Sequence, residues 1–408
     1  MKQKIPALLL CLAMLFALAA CGSAEPEDQT PPREKIGISL PNDSETQWKT
    51  DAADMQAILS ADFDVELRYA GDNSDTQIQQ IEELKELGCK TLIVAAVDPN
   101  SLGPALAYVP EPQDDAAAES APAESAAEES APAFDGRPVD DGWNIIAYDR
   151  LITDCDTIDF YVGFDGYEAG YLQASFLEET LHLYDAEGPF HIELFFLEGN
   201  DVENEFQYAG AMEILQMYID AGVLVVGSGE NLLSDCAVAD PDAAAARMTA
   251  ILNDSYTDTD LDAILCADDA IARSITDVLF TGYTGGVFPL VTGMGCEEDS
   301  VNAILSGVQA MTLLRDCTGM AEEAAAAAAA FAAGVTPATE DSLDNGAVSV
   351  PASLFYPEQV YAGNYEQLLL QRGYFVQEED GTLSAATDYT AGYTAPAEPA
   401  EEMTEVEE

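Results

Sequence analysis

From Lys35 onward, short apolar runs alternate with amphipathic ones, and that alternation limits the fold more than any other feature of the chain. Ile36-Gly37-Ile38-Ser39-Leu40 reads as a buried strand. Ser44-Glu45-Thr46-Gln47 has the spacing of a capping box and opens a helix with Trp48, Ala52, Met55 and Leu59 on one face. Residues 65–70 form the next strand. A helix carrying Ile78, Ile81, Leu84 and Leu87 then stops at Gly88, which suits the left-handed position after a helix, and residues 91–97 are a buried strand. Further strands are expected at 144–148, 158–163, 191–196, 223–226, 263–266, 289–292 and 310–314, with helices between most of them. Strand and helix in alternation specify parallel sheets covered on both faces, and the strands suffice for two such sheets. The expected class is α/β with two doubly wound parallel-sheet lobes.

Three segments stand outside this pattern. Residues 111–133 consist of Ala, Ser, Pro and Glu with Glu-Ser-Ala-Pro-Ala twice, so they read as a disordered acidic insert. Their place in the order puts them at the amino ends of the strands, away from the edge where open α/β sheets bind ligands. Residues 322–333 are nearly all alanine and predict a helix ending at Gly334. Residues 385–408 are an acidic tail without periodicity, read as disordered.

The amino end bears on compartment. Lys2 and Lys4 precede an apolar stretch from Ala7 to Ala20, and Leu18-Ala19-Ala20-Cys21 reads as a lipobox. Residues 1–20 are then a signal peptide too short to persist as a membrane span, Cys21 carries lipid, and residues 21–34 are a flexible stalk. The formal charge of the chain is -62. Such a surface repels phosphate backbones and anionic headgroups, which excludes nucleic acid as a partner and leaves the lipid as the only membrane attachment. Six cysteines lie beyond the lipobox: Cys89, Cys155, Cys236, Cys266, Cys296 and Cys317. None form C-x-x-C pairs, the chain has only two histidines, and neither a metal nor a cofactor is expected. Export permits disulfides, but the apolar surroundings of Cys89 and Cys266 favour buried free thiols.

The segments Ile36 to Pro41, Gln47-Trp48, Thr76 to Ile81, Ile93 to Ala96, Ile146 to Leu151, Gly188 to Phe195, Gly210 to Met212 and Val291 to Gly293 stand in an order and at separations that together are specific. In these the chain resembles the type I periplasmic-binding-protein family, in its multiple-monosaccharide and xylose-binding branch. The resemblance implies two lobes joined by a three-segment hinge, with crossings near Asp165, near 314–316 and near 347–350. The first lobe is then 35–164 plus 316–347 and the second 165–315 plus 348–384. It also implies a monomer that closes on a small sugar and presents the closed form to ABC permease subunits.

A pyranose offers hydroxyls that both donate and accept, and one apolar face, so its site needs charged or amide side chains and an aromatic platform. Asp149 and Arg150 follow a strand and supply an acceptor and a planar donor fork. Trp48 reads either as the platform, with Gln47 beside it, or as core, since positions 48, 52, 55 and 59 share a face. The resemblance adds Asp201, with Asn204 supplying an amide, Asp268 after its strand, and Arg315 where a lysine is usual. Asp269 reads as a helix N-cap. The sequence departs from the family at Gln47, where arginine is usual, at Gly295, where an aspartate is expected, and at Ala239, where a tryptophan covers the sugar. These departures point away from the usual aldohexose or xylose, toward another small polyol or a larger saccharide. Paired carboxylates also serve glycoside hydrolysis, but the chain lacks a nucleophile elbow or phosphate loop, and it is read as a binding protein rather than an enzyme. A sensory binding protein shares the same fold, and the sequence does not separate sensing from import.

Overall fold

Seven strands build the first sheet, and their hydrogen bonding fixes which chain segments share a lobe. The structure, a computed structural model, describes residues 33–107, 142–186, 188–198 and 202–386. The signal segment, Cys21, Asp201, the insert at 111–133 and the tail from 387 onward lie outside the described residues. The first lobe runs through β1 (Lys35–Leu40), α1 (Thr46–Leu59), β2 (Asp64–Tyr69), α2 (Ser74–Glu86), β3 (Cys89–Val94), α3 (Pro99–Leu106), β4 (Asn144–Tyr148) and β5 (Phe160–Phe164). The second follows as α4 (Gly166–Leu181), β6 (Phe190–Leu197), α5 (Val202–Asp220), β7 (Leu224–Val226), α6 (Leu233–Cys236), β8 (Ala237–Val238), α7 (Pro241–Ser255), β9 (Ala263–Cys266), α8 (Asp269–Gly282), β10 (Leu290–Val291), α9 (Glu298–Leu305) and β11 (Met311–Leu314). The chain then returns through α10 (Cys317–Ala332), β12 (Asp341–Asp344) and β13 (Ser349–Phe355). It finishes with β14 (Glu358–Tyr361), a π-helical turn at Glu366–Leu370, and the hairpin β15 (Phe375–Gln377) and β16 (Leu383–Ala385).

The first sheet has the order β12-β13-β5-β4-β3-β1-β2, parallel except where β12 meets β13. The second has the order β10-β9-β6-β7, with β8 also on β6, and every pairing in it is parallel. Central strands covered on both faces must be apolar throughout, and β5 and β9 are buried at every residue. The helical spacing of Trp48, Ala52, Met55 and Leu59 does what it predicts, since all four are buried within one core cluster. Alanine is the residue that lets α10 lie close against the same cluster: Ala321, Ala324, Ala325, Ala327 and Ala328 all join it.

Three elements differ from expectation. The capping box does not form. Asn42 Oδ1 instead accepts from the amides of Ser44 and Glu45 and from the Ser44 hydroxyl, so the serine is spent on the loop and Glu45, whose carboxylate accepts from Asn42 Nδ2, becomes an N-cap without a side-chain bond to the helix. The lobe boundary expected near 347–350 lies later, because β13 pairs in parallel with β5 through Phe355, and the chain crosses only at Tyr356-Pro357 before β14 pairs with β11. Ala385, expected to open the tail, is still paired with Phe375.

The crossings stay close at their ends. The Asp165 amide donates to the Phe355 carbonyl at 2.9 Å, and the rings of Phe164 and Phe355 meet edge to face. Beyond the first crossing, α4 and α5 approach through facing glycines. A β-carbon at Gly170 would lie 1.8 Å from the Gln207 carbonyl oxygen, and one at Gly210 would lie 1.9 Å from that of Tyr167. Gly210→Ala is therefore expected to force the pair apart and destabilise the fold by about 1–3 kcal/mol. Thermal unfolding of the variant checks this, and an unchanged melting temperature would refute the contact.

Candidate ligand-binding site

A cavity of about 330 Å³ lies where the carboxyl ends of strands from both sheets converge, the position at which open α/β sheets bind ligands. From the first lobe it is lined by Gln47 and Trp48 on α1 and by Asp149 and Arg150 just past β4. From the second come Asn204 and Gln207 on α5, and Asp268 between β9 and α8. Arg315, at the second crossing, completes it. Seven of the eight expected site residues thus share one cavity, and the eighth, Asp201, falls outside the described residues.

Local backbone chemistry sets the first wall. Asp149 has φ 61° and sits at the centre of a three-residue turn in which the Arg150 amide donates to the Tyr148 carbonyl at 2.7 Å. That left-handed conformation is uncommon outside glycine. The Asp149 amide donates to Val162 and its carbonyl accepts from the Tyr161 hydroxyl, so the turn is fastened to β5. Arg150 Nη1 donates to the carbonyls of Ala96 and Val97, past the end of β3, while its guanidinium lies 5.5 Å from the centre of the Trp48 ring. Of the two readings of Trp48, the structure favours core: it is 1% exposed, and it seats Arg150 while an edge reaches the cavity.

In the second lobe the expected N-cap moves by one residue. Asp268, not Asp269, caps α8, accepting from the Ile271 amide at 2.7 Å. Burial pushes the Asp268 carboxyl up. Asp269 is a buried hub that accepts from the Thr312 hydroxyl, the Gln309 amide nitrogen and the Glu297 backbone. Gln207 donates to Gln173 and to the Ala267 carbonyl, and Gln173 donates to Cys266 and Gly293, which ties the cavity floor to β9. Gly295 has φ 129°, a region that side-chain-bearing residues rarely adopt, and Ala239 is exposed and away from the cavity lining.

Charge is balanced narrowly. Arg315 lies 5.2 Å from the centre of the Phe164 ring, and its Nε is sealed from solvent without a hydrogen-bond partner among the described residues. Burial works against its charge, but Cys317, Asp149, Asp51 and Asp268 together more than offset that and hold its pKa up. Asp51, one helical turn past Gln47, is buried and accepts from the Tyr148 hydroxyl at 2.9 Å. Burial first, then the carboxylates of Asp149 and Asp54, raise its pKa to about 8. Sequence reasoning did not select Glu45, Asp51, Gln207 or Glu297. The available signals were the i, i+4 spacing of Asp51 from Gln47 and the i, i+3 spacing of Gln207 from Asn204. Among the described residues no group of histidine, cysteine and carboxylate side chains is placed to hold a metal ion.

Two α/β lobes, three crossings and a polar cavity between the sheet edges define a solute-binding protein. The periplasmic binding protein domain family matches residues 137–336. The multiple sugar-binding periplasmic receptor ChvE of Rhizobium radiobacter is 34% identical over 352 residues, covering 84% of this chain and 91% of that protein. A solute-binding protein of an ABC transporter from Clostridium phytofermentans, solved with bound β-D-glucose, is 34% identical with a TM-score of 0.70, over 85% of this chain and 99% of that one. A carbohydrate transporter solute-binding protein from Chloroflexus aurantiacus, solved with D-glucose, is 25% identical with a TM-score of 0.67, over 84% and 97%. The chain belongs to the type I periplasmic sugar-binding proteins.

A raised carboxyl pKa means that the folded chain binds the Asp51 proton more tightly than the unfolded one. The stabilisation this gives is full below the ordinary value of 3.8 and is lost as pH rises toward 8. Replacing Asp51 by asparagine should therefore remove a pH-dependent loss: the melting temperature of the variant relative to the native chain rises between pH 4 and pH 8. A difference that stays constant across that window would contradict the assignment.

Proposed function

We propose that this chain is an extracytoplasmic solute-binding lipoprotein that captures a monosaccharide or similar small sugar and delivers it to an ABC importer. The observation that carries the reading is the meeting of Asp149, Arg150, Asn204, Asp268 and Arg315, from both lobes and a crossing, around one cavity. Carboxylates accept from sugar hydroxyls, guanidinium and amide groups donate to them, and contacts from two lobes make ligand and closure favour each other. The two similar solute-binding proteins solved with glucose support this ligand class, and the one from an ABC transporter supports this partner. The chain works as a monomer without metal or cofactor, binds rather than transforms its ligand, and is held at the membrane by lipid on Cys21. Among the described residues no helix is long and apolar enough to cross a membrane.

Ligand-induced thermal stabilisation across a panel of mono- and disaccharides tests the binding. A ligand at 100 times its dissociation constant adds about 2.7 kcal/mol. Arg150→Ala should abolish that shift, measured against the variant's own ligand-free melting temperature, which falls as the bonds to Ala96 and Val97 are lost, since hydrogen bonds to charged groups contribute about 1.5–3 kcal/mol each. A full shift retained in the variant would remove Arg150 from the site. For the anchor, Cys21→Ser should move the protein from the detergent phase to the aqueous phase on Triton X-114 partition. Unchanged partition would rule out lipid on this cysteine.

A further inference from the structure

Beside the cavity lies a second, larger chamber of about 620 Å³. Glu45, Gln47, Gly295, Glu297 and Arg315 line both spaces, so their common boundary draws on both lobes and on the second crossing. The first cavity stands at the small end of the range for ligand pockets, about 300–1,000 Å³, and suits one sugar ring. The chamber adds more room than the cavity itself provides.

Its outer wall is built, not incidental. Tyr374 and Phe375 line it and lead into the terminal hairpin, and Ala385 lines it from β16. Asn302 clasps that hairpin with both ends of its amide: Nδ2 donates to the Leu383 carbonyl and Oδ1 accepts from the Leu383 amide, each at 2.8 Å. Glu298 accepts from the Ala385 amide. Opposite stand Thr50 and Asp51 on α1 and Thr318 on α10. The carboxylates of Glu45 and Glu298 and the Thr318 hydroxyl give this space groups that sugar hydroxyls can pair with, and Tyr374 and Phe375, packed in the core cluster beside the hairpin, close it. At the boundary stands Arg315, which lines both spaces.

We propose that the site has two compartments and takes a disaccharide or a glycoside. One ring sits among Asp149, Arg150 and Asp268, and the second unit lies in the chamber walled by the terminal hairpin. The inference rests on the sugar-binding reading above and extends its ligand from a single sugar to two joined units.

Isothermal titration of the purified chain with D-glucose and D-xylose, and with cellobiose, maltose and xylobiose, tests it. The expected result is at least one disaccharide bound tenfold or more tighter than its monosaccharide. Thr318→Trp, which fills the chamber from α10, should then weaken the disaccharide at least tenfold and leave the monosaccharide within twofold, and Thr50→Trp should do the same from the facing wall should the first variant not fold. Monosaccharides that bind while their dimers bind no tighter would overturn the two-compartment site and leave the sugar-binding reading intact. Disaccharide affinity unchanged in both tryptophan variants would overturn it as well. Binding of none of the five sugars would overturn the two-compartment site, while the sugar-binding reading is decided by the wider panel above.

Discussion

Two guanidinium groups allow a cleft so rich in carboxylates to exist. Asp51, Asp149, Glu203, Asp268 and Glu297 all border the two spaces between the lobes, in a chain whose formal charge is -62. Burying such charges without partners costs several kcal/mol each, and the chain meets the demand in three ways. Arg150 and Arg315 supply positive charge, Asp268 is bonded to a helix amide, and Asp51 has its pKa pushed to where a proton stays bound at neutral pH. Each device is tied to the fold. Arg150 is held by carbonyls past β3 and by the indole of α1, so its position reports on the packing of three elements at once.

The strand-helix alternation made most of the architecture legible, because parallel strands buried on both faces read as plain apolar runs. Residues 144–148 and 263–266 coincide with β4 and β9 for that reason. What periodicity does not record is which sheet a strand joins. β13, Ser-Val-Pro-Ala-Ser-Leu-Phe, has no helix of its own to mark it, and its place beside β5 depends on partners almost two hundred residues earlier. The Ser44 capping signal failed because Asn42 competes for the serine hydroxyl, a contest between neighbours that spacing rules do not score.

For the site, the residues that the sequence identified are those that follow directly on a strand or open a helix, as Asp149, Arg150, Asp268 and Asn204 do. The rest follow from three-dimensional adjacency. Asp51 faces the cleft because α1 begins there and turns once, and Glu297 because a glycine and a cysteine with positive φ redirect the chain after β10. The exchange of roles between Asp268 and Asp269 has the same origin. The helix starts one residue earlier than the pattern implied, and the carboxylate thus drawn into its first turn becomes the buried acceptor that holds Thr312, Gln309 and the Glu297 amide together.

The six cysteines among the described residues are free thiols, five of them buried, and burial pushes the thiols of Cys236, Cys266, Cys296 and Cys317 well above their ordinary range. A thiol kept protonated and sheltered neither attacks a disulfide nor takes up oxidant readily. Once the chain is folded, these sulfurs are therefore slow partners for thiol–disulfide exchange with whatever thiols or disulfides surround the receptor.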